Sequence, residues 1–365
     1  MKATITLCTT FFVLLFSPFL VLAQTPDPIW STYAGGSSSD FGSTSTVDAA
    51  GNVYVAGSTN STNMALGAGV HDNTLDGTNY DAFVTKYSPT GQRLWTTYFG
   101  GPGSDGAYRI VTDGTSVYIS GYTTSATNIA FGSGAYNSYG GASDGFIARF
   151  NAVTGAGIWG SYYGGSAIDD IYDMTLSPDG GILLAGYTES DNSGNRIASP
   201  GAMQESLTGQ SDAMLVKFDA NGNRLWATYI GGNLGDWIFG LDTDASGTIY
   251  IAGYTESNSG ISTPGAFQVN NGGVGDIFLM AFNGNGTGRI WSTYWGGPGI
   301  ENGYNLRVDP SGNIIVACSA TSPGMATPGS FQPQFSGGNE DILIGQFTSS
   351  GQRLWSTYLG ANAVA

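Results

Sequence analysis

Short segments in which apolar and polar residues alternate recur along the chain, and Gly, Pro, Asn or Asp residues bound each of them. The clearest set is Ser43–Val47, Asn52–Thr59 (NVYVAGST), Asp81–Tyr87 (DAFVTKY) and Arg93–Phe99 (RLWTTYF). These segments are rich in β-branched and aromatic residues, and no stretch after the first 23 residues carries a sustained helical stripe. The pattern predicts four β-strands, here named A, B, C and D in chain order.

The four predicted strands belong to a unit that repeats. A Trp-x-x-Tyr-x-Gly motif marks strand D, and its tryptophans are Trp30, Trp95, Trp159, Trp226, Trp291 and Trp355, at steps of 64 to 67 residues. Short A–B and C–D connections predict antiparallel hairpins. Sheets of four strands that repeat in this way bury their faces only against their neighbours, and a ring of them protects the sheet edges. We therefore predict an all-β fold, a β-propeller of four-stranded antiparallel blades.

The sequence determines the number of blades and the closure of the ring less firmly than it determines the strands of one blade. The chain holds five complete A–D units and one additional D-type strand at Ile29–Ala34. Our first interpretation is a ring of about five blades, in which the N-terminal strand completes the last blade. The alternative is a segment of a longer array. A β-solenoid and a string of sandwiches fit the period and the unit size less well.

Several motifs resemble those of a known family, the SBBP-type β-propeller repeat of bacterial exported and surface proteins. They are WSTYAGG at Trp30, WSTYWGG at Trp291, DPSGNIIV at Asp309, AGYT at Ala185 and Ala252, TPGAFQ at Thr263 and DAFVTKY at Asp81. The resemblance implies a propeller of repeated blades and brings no catalytic residues with it. One departure is Cys318, which stands where the other units have Gly57, Gly121, Gly186 and Gly253.

Charge and composition narrow the classes of function. Lys plus Arg number 11 and Asp plus Glu 27, for a net charge of −16, so nucleic acid and anionic membranes are unsuitable partners. With His71 as the one histidine, and Cys8 and Cys318 as the two cysteines, a Ser-His-Asp triad or a His/Cys zinc site is hard to assemble. His71 takes the place of bulky residues in other units, which indicates packing.

The N-terminus has the features of a secretory signal peptide over residues 1–23. Lys2 precedes an apolar run from Phe11 to Leu22, and Ala23 ends a cleavage-site pattern. The run is short for a bilayer span and contains Pro18, so we predict no integral membrane segment in the mature chain. Residues 24–365 are predicted to be one propeller domain that is secreted or held at the cell surface.

An acid follows each of the first five repeat tryptophans by ten residues. These residues are Asp40, Asp105, Asp169, Asp236 and Glu301, and they precede strand A, the predicted innermost strand. One hypothesis is a ring of carboxylates that binds a cation, with calcium as the candidate. The favoured interpretation is structural, namely that each acid accepts backbone hydrogen bonds in a glycine-rich turn. A second acid begins each strand C, and turn capping is its default role. No cofactor is predicted.

The long B–C connections and the D–A connections share one face of the propeller, so we predict that ligands bind there. Candidate ligand-binding residues are Tyr80, Tyr136, Tyr139, Trp237, Gln268, Trp295 and Gln332. The predicted function is a non-enzymatic binding or adhesion module for a protein or glycan at the cell surface. The alternatives are a secreted carbohydrate-active enzyme that uses surface carboxylates, and a structural spacer of a larger surface protein.

Overall fold

The structure is a computed structural model that describes residues 29–361, so the predicted signal peptide lies outside the described residues. Twenty strands form five sheets, called blades 1 to 5 in chain order. Blade 1 contains β1 (Asp40–Val47), β2 (Val53–Thr59), β3 (Asp81–Tyr87) and β4 (Arg93–Phe99); blade 2 contains β5 (Asp105–Thr112), β6 (Ser116–Thr123), β7 (Asp144–Asn151) and β8 (Gly157–Tyr163). Blade 3 contains β9 (Asp169–Leu176), β10 (Ile182–Thr188), β11 (Asp212–Phe218) and β12 (Arg224–Ile230). Blade 4 contains β13 (Asp236–Thr243), β14 (Ile249–Thr255), β15 (Asp276–Phe282) and β16 (Arg289–Trp295); blade 5 contains β17 (Glu301–Val308), β18 (Ile314–Ala320), β19 (Asp341–Phe347) and β20 (Arg353–Leu359). A short 3-10 helix covers Ser193–Asn195.

Within every blade the four strands follow chain order and pair antiparallel. In blade 1, for example, the β2–β3 register runs from Thr59 opposite Asp81 to Val53 opposite Tyr87 without a break. The β1–β2 pair contains a bulge between Gly42 and Thr44. The prediction of four-stranded antiparallel blades is confirmed.

The hydrophobic core lies between neighbouring blades. Trp95 and Phe99 of blade 1, for example, pack with Phe146 and Phe150 of blade 2, and all four side chains are almost fully buried. The first strand of each blade packs against the first strand of the next, from β1 through β5, β9 and β13 to β17. The first strands therefore surround a common axis, and each sheet depends on its neighbours for burial.

Each interface between blades also contains a tryptophan packed on a turn. Trp159 of blade 2 lies against Gly222 in the C–D turn of blade 3, where an added Cβ would come 3.0 Å from the indole. Gly222 has a φ of 86°, a conformation that L side chains rarely adopt. The Trp159 indole N–H donates to the carbonyl of Ala220 in the same turn, at 3.0 Å. The repeat tryptophan therefore fixes each blade to the turn of the next one.

The five blades form an open array and do not close into the ring that the sequence suggested. Strand β20 already occupies the D position of blade 5, beside β19, so the N-terminal strand does not complete that sheet. Trp30 instead lies at the other end of the array, where its indole N–H donates to the carbonyl of Pro89 in blade 1 at 2.9 Å. Closure through Ile29–Ala34 was therefore wrong, because its place in blade 5 is taken. No helix within residues 29–361 is long and apolar enough to cross a membrane.

Candidate functional site

The acids that follow the repeat tryptophans are built into the D–A crossings. Asp169 accepts hydrogen bonds from the Gly165 backbone N–H at 2.7 Å, from the Ser190 hydroxyl at 2.8 Å and from the Thr188 hydroxyl. It is fully buried, as are the three corresponding acids Asp105, Asp236 and Glu301, whereas Asp40 is half-buried. These contacts tie the crossing to the end of strand B in the same blade, which supports the structural interpretation.

Each of these buried acids also lies near the acid that begins strand C of the preceding blade. A Cβ added to Gly100 would lie 2.7 Å from an Asp105 carboxylate oxygen and 2.9 Å from one of Asp81. Burial, with the neighbouring negative charges, raises the pKa of Asp81 to about 8. Burial likewise raises the pKa values of three further acids to about 6, namely Asp144, Asp236 and Asp276. Within residues 29–361, no cluster of three or more His, Cys, Asp or Glu side chains is arranged to hold a metal ion.

The side chains of the two predicted glutamines form hydrogen bonds within their own blades. The Gln268 amide donates to Asp276 at 2.9 Å, and its carbonyl oxygen accepts from the Gly296 N–H at 3.1 Å. Gln332 accepts from the Gly360 N–H at 3.1 Å in the same way. Their amide groups hold the start of strand C against the end of strand D, so the structure gives them a positioning role.

The three predicted tyrosines of the B–C loops are half-buried and pack on neighbouring side chains. Tyr136 lies under the guanidinium groups of Arg196 and Arg224, at 5.5 and 5.4 Å from its ring centre. Tyr139 packs on Tyr162, and Tyr80 packs on Phe41. Tyr80 lies in the B–C loop of blade 1, whereas Tyr136 and Tyr139 share the B–C loop of blade 2.

Trp295 does not belong to the candidate surface, because it is 1% exposed. It packs edge-on against Phe347 at 5.0 Å, within the core between blades 4 and 5. His71 also packs inside the protein, stacked on Phe131 at 4.3 Å, and burial lowers the pKa of its imidazole. Trp295 is therefore closed to a ligand in solution, and the half-buried His71 is a packing residue.

Trp237, in contrast, is part of a half-exposed group of aromatic side chains at the axis. Its ring lies 6.1 Å from that of Tyr187 and 5.5 Å from that of Tyr254. Deeper along the axis, Tyr172 lies 5.7 Å from Tyr108 and 5.1 Å from Phe239. We call this group the axial aromatic cluster, and it comprises Tyr108, Tyr122, Tyr172, Tyr187, Trp237, Phe239 and Tyr254.

Three members of the axial aromatic cluster, Tyr108, Tyr172 and Phe239, line a cavity of about 290 Å³ to which all five blades contribute. The residues around it are Ser43, Tyr108, Arg109, Tyr172, Phe239, Asn302 and Gly303. Arg109 is held there by Asp173, whose carboxylate lies 2.7 Å from its Nε and is 1% exposed. Tyr108, Tyr172 and Phe239 provide aromatic lining from blades 2 to 4, and Ser43 and Asn302 provide polar lining from blades 1 and 5.

Acidic side chains stand beside the aromatic ones at the end of the axis where the B–C and D–A connections lie. Asp170 accepts a hydrogen bond from the Ser143 hydroxyl at 3.0 Å, and burial raises its pKa. Glu189 and Glu256 follow the B strands of blades 3 and 4 and are exposed. Burial raises the pKa values of Tyr187 and Tyr254 to about 12, so both phenols are neutral and can donate hydrogen bonds.

A larger cleft of about 770 Å³ lies at the opposite end of blades 3 and 4. Turn residues form much of its wall, and its two charged groups, Lys217 and Asp179, pair with each other at 2.6 Å. We place the candidate site at the axis because residues from all five blades line the cavity there, beside the half-exposed rings of the axial aromatic cluster.

Sequence reasoning found Trp237 but missed most of this cluster. Tyr108, Tyr172 and Phe239 each come three residues after the crossing acid, so their spacing was a readable signal. They were passed over because a repeated aromatic residue usually marks core packing. Their partial exposure follows from their place on the innermost strands, which meet no further blade.

Comparison with known proteins agrees with the repeat seen in the sequence. The family model of the SBBP β-propeller repeat matches residues 29–63. Residues 29–63 of this chain therefore carry the SBBP β-propeller repeat. Over 156 aligned residues, which cover 39% of this chain and 11% of the relative, the chain is 24% identical to an uncharacterized WD repeat-containing protein of Acanthamoeba polyphaga mimivirus.

Two solved structures resemble this chain at low sequence identity. The Pan2 WD40 domain of Neurospora crassa is 12% identical, with a TM-score of 0.43, over 92% of this chain and 68% of that one. A protein of unknown function from Dyadobacter fermentans is 11% identical, with a TM-score of 0.41, over 86% of this chain and 92% of that one.

Proposed function

We propose that this SBBP-repeat protein is an exported, non-enzymatic binding or adhesion module of the cell surface, which recognises a protein or a glycan at the loop-bearing end of its axis. The propeller provides a rigid frame, and the ligand contacts residues that several blades present together. Export is inferred from the N-terminal sequence pattern, and binding from the chemistry of the axial cavity.

The observation that carries the proposal is the half-exposed axial aromatic cluster. Flat aromatic faces bind the apolar faces of sugar rings and apolar side chains, and they attract cationic groups. Trp237, Tyr187 and Tyr254 offer such faces, while Asp170 and the neutral phenols offer hydrogen-bonding partners. Aromatic surface that does not complete a core, combined with a few convergent polar groups, is typical of ligand sites.

The cavity also presents polar groups beside its aromatic rings. Ser43 of blade 1 and Asn302 of blade 5 line it together with Tyr108, Tyr172 and Phe239. Because Arg109 is fixed by the buried Asp173, it can present its remaining N–H groups to the cavity without reorganisation. A neutral or mixed-charge ligand that places a flat group against Tyr172 could also form hydrogen bonds with these polar groups.

The absence of an enzyme activity is part of the proposal. A glycan-cleaving enzyme needs two free carboxylates roughly 5 to 10 Å apart around its substrate. The buried acids of the D–A crossings are occupied by hydrogen bonds such as that of Gly165 to Asp169, at 2.7 Å. Such contacts recur from blade to blade, whereas a catalytic centre usually breaks the repeat.

The test uses the purified mature protein on a glycan array and a display library of peptides. We expect binding that Trp237→Ala and Tyr172→Ala each weaken by about tenfold or more, as for aromatic residues at the centre of an interface. Phe331→Ala is the matched control, since Phe331 is 85% exposed in a B–C loop away from the cavity. Equal binding by all variants would contradict the proposal. Turnover of a bound glycan that Asp170→Asn abolishes would favour the enzyme alternative.

A further inference from the structure

The outer face of blade 5 has the residues of a blade interface, but no blade within residues 29–361 packs against it. Ile342 is 45%, Leu359 48% and Trp355 38% exposed. The first two correspond to Ile277 and Trp295 of blade 4, which are at most 1% exposed where blade 5 covers them. The repeat therefore continues its apolar contact surface beyond the fifth blade.

The hydrogen bond of the Trp355 indole also differs from that of a repeat tryptophan covered by a following blade. Trp291 donates across the interface to the carbonyl of Ser349 in the C–D turn of blade 5, at 2.8 Å. The indole of Trp355 finds no following turn and donates instead to Gln346 of its own blade, at 2.6 Å. A following blade would offer it both a turn glycine and a turn carbonyl.

At the other end of the array, Ile29–Ala34 carries the D-strand motif but does not form a strand, and the described residues include no strands A to C that precede it. Trp30 packs on Gly91, in the C–D turn of blade 1. The repeat tryptophans of blades 1 to 4 make the same contact with the turn glycine of the following blade. The next motif residue, Tyr33, is fully exposed, whereas Tyr98 and its four later counterparts are at most 1% exposed. Those tyrosine hydroxyls donate to a serine carbonyl in the B–C loop of their own blade, as Tyr98 does to Ser61 at 2.6 Å.

We propose that the protein binds a three-stranded unit of the same repeat, consisting of strands A, B and C, between blade 5 and blade 1. Ile29–Ala34 supplies the fourth strand by pairing with strand C of that unit, and six blades then close the ring. The partner must present an apolar sheet face and a turn glycine to Trp355, and a B–C loop serine carbonyl to Tyr33. Pairing at the open strand edge provides backbone hydrogen bonds, and the two faces provide burial.

A second copy of this chain fits the open ends less well. Its first blade already carries Trp30 on Gly91, so it could meet Trp355 of another copy only after Trp30 left its place. Its blades also hold four strands each, so none of them would take Ile29–Ala34 as a partner. A unit with three strands satisfies both ends at once.

The experiment adds a probe polypeptide of residues 232–288, which spans strands A to C and the C–D turn of blade 4, to the full mature chain. Sedimentation velocity and titration calorimetry measure the complex. We expect a one-to-one complex, a higher melting temperature of the chain, and binding weakened by about tenfold or more by Tyr33→Ala or Trp355→Ala. Val153→Ala is the control, because Val153 is 75% exposed in a turn of blade 2.

The same probe, joined to the C-terminus of the chain by a flexible linker, covers the case of a probe that is insoluble alone. The fusion should melt at a higher temperature than a fusion with a scrambled probe, and Trp355→Ala should remove the difference. Absence of both the complex and the melting shift overturns the proposal, and so does binding unaffected by either variant. Self-association of the chain that Trp355→Ala abolishes would instead assign the open face to a second copy.

Discussion

Removal of the Asp169 carboxylate tests whether the crossing acids are structural. In Asp169→Ala the Gly165 N–H, which now donates at 2.7 Å, and the hydroxyls of Ser190 and Thr188 lose their common acceptor. The site is fully buried, so water does not replace the carboxylate without rearrangement. The same crossing in blade 1 offers a comparison, because Asp40 is only half-buried.

The size of the effect follows from the three donors. A buried donor left without an acceptor costs about 1–3 kcal/mol, and the two hydroxyls can rotate to other partners while the backbone N–H cannot. Burial raises the pKa of Asp169, so its removal also recovers part of the cost of burying a carboxylate. We expect Asp169→Ala to lower the free energy of unfolding by about 2–3 kcal/mol, and Asp40→Ala by about 1 kcal/mol or less.

Urea unfolding, followed by tryptophan fluorescence, measures both variants against the parent protein. Asp169→Asn is an added control, since its amide oxygen keeps one acceptor for the Gly165 N–H and its loss should be smaller than that of Asp169→Ala. The reasoning is refuted if Asp169→Ala costs no more than Asp40→Ala. It is also refuted if the parent, and not the variant, gains stability from calcium.

Three further predictions concern pH, packing and metal ions. Burial raises the pKa of Asp81 to about 8 and the pKa values of three other acids to about 6, so these carboxyl groups bind protons more tightly in the folded than in the unfolded state. Their contribution to stability is therefore complete below pH 4 and is lost as the pH rises through 6 to 8. Turn acids behave in the opposite way: the hydrogen bond from Lys217 lowers the pKa of Asp179 to about 2, so its stabilising contribution is lost as the pH falls from about 4 towards 2. The melting temperature should therefore be highest near pH 4–5. Asp81→Asn should make the decline of the melting temperature at higher pH less steep. Gly253→Ala should lower the free energy of unfolding in urea by about 3 kcal/mol, because the new Cβ would lie 2.0 Å from the Trp237 carbonyl oxygen. Cys318→Ala, at the corresponding position of blade 5, should lower it by only about 1 kcal/mol. Equal losses in the two variants would contradict this prediction. Chelator or added calcium should leave the melting temperature of the parent protein unchanged, and a rise with calcium would restore the cation hypothesis.

The strands were predictable because each period repeats the same local signals. Asp81–Tyr87 and Arg93–Phe99 have the predicted bounds, and β2 begins one residue later than predicted. Strand A was predicted to begin at Ser43 but begins at Asp40, since the crossing acid is itself the first strand residue. Glycine-rich stretches such as Asp40–Gly42 carry little propensity, and the pairing with Thr59 and Ser58 forms them into strand.

Ring closure could not be read from the sequence, because it depends on the angle between successive sheets and not on strand content. The burial of Trp295, in contrast, could have been predicted from the sequence. Trp295 follows its repeat tryptophan by four residues, as Phe99 does, and both side chains are buried. It was mistaken for a surface residue because no other unit has tryptophan there. The axial aromatic cluster required knowledge of which strand lies innermost and of which side chains meet across the axis.

Hydroxyl-radical footprinting of the isolated chain tests the central claim, an open stack of five blades that are buried only by their neighbours. The account predicts that Trp159 and Trp295, each 1% exposed, react slowly. Trp355 and Tyr33, at the two uncovered ends, should react quickly, as their exposed fractions of 38% and 100% require. Protection of Trp355 and Tyr33 equal to that of Trp159 would contradict the open array.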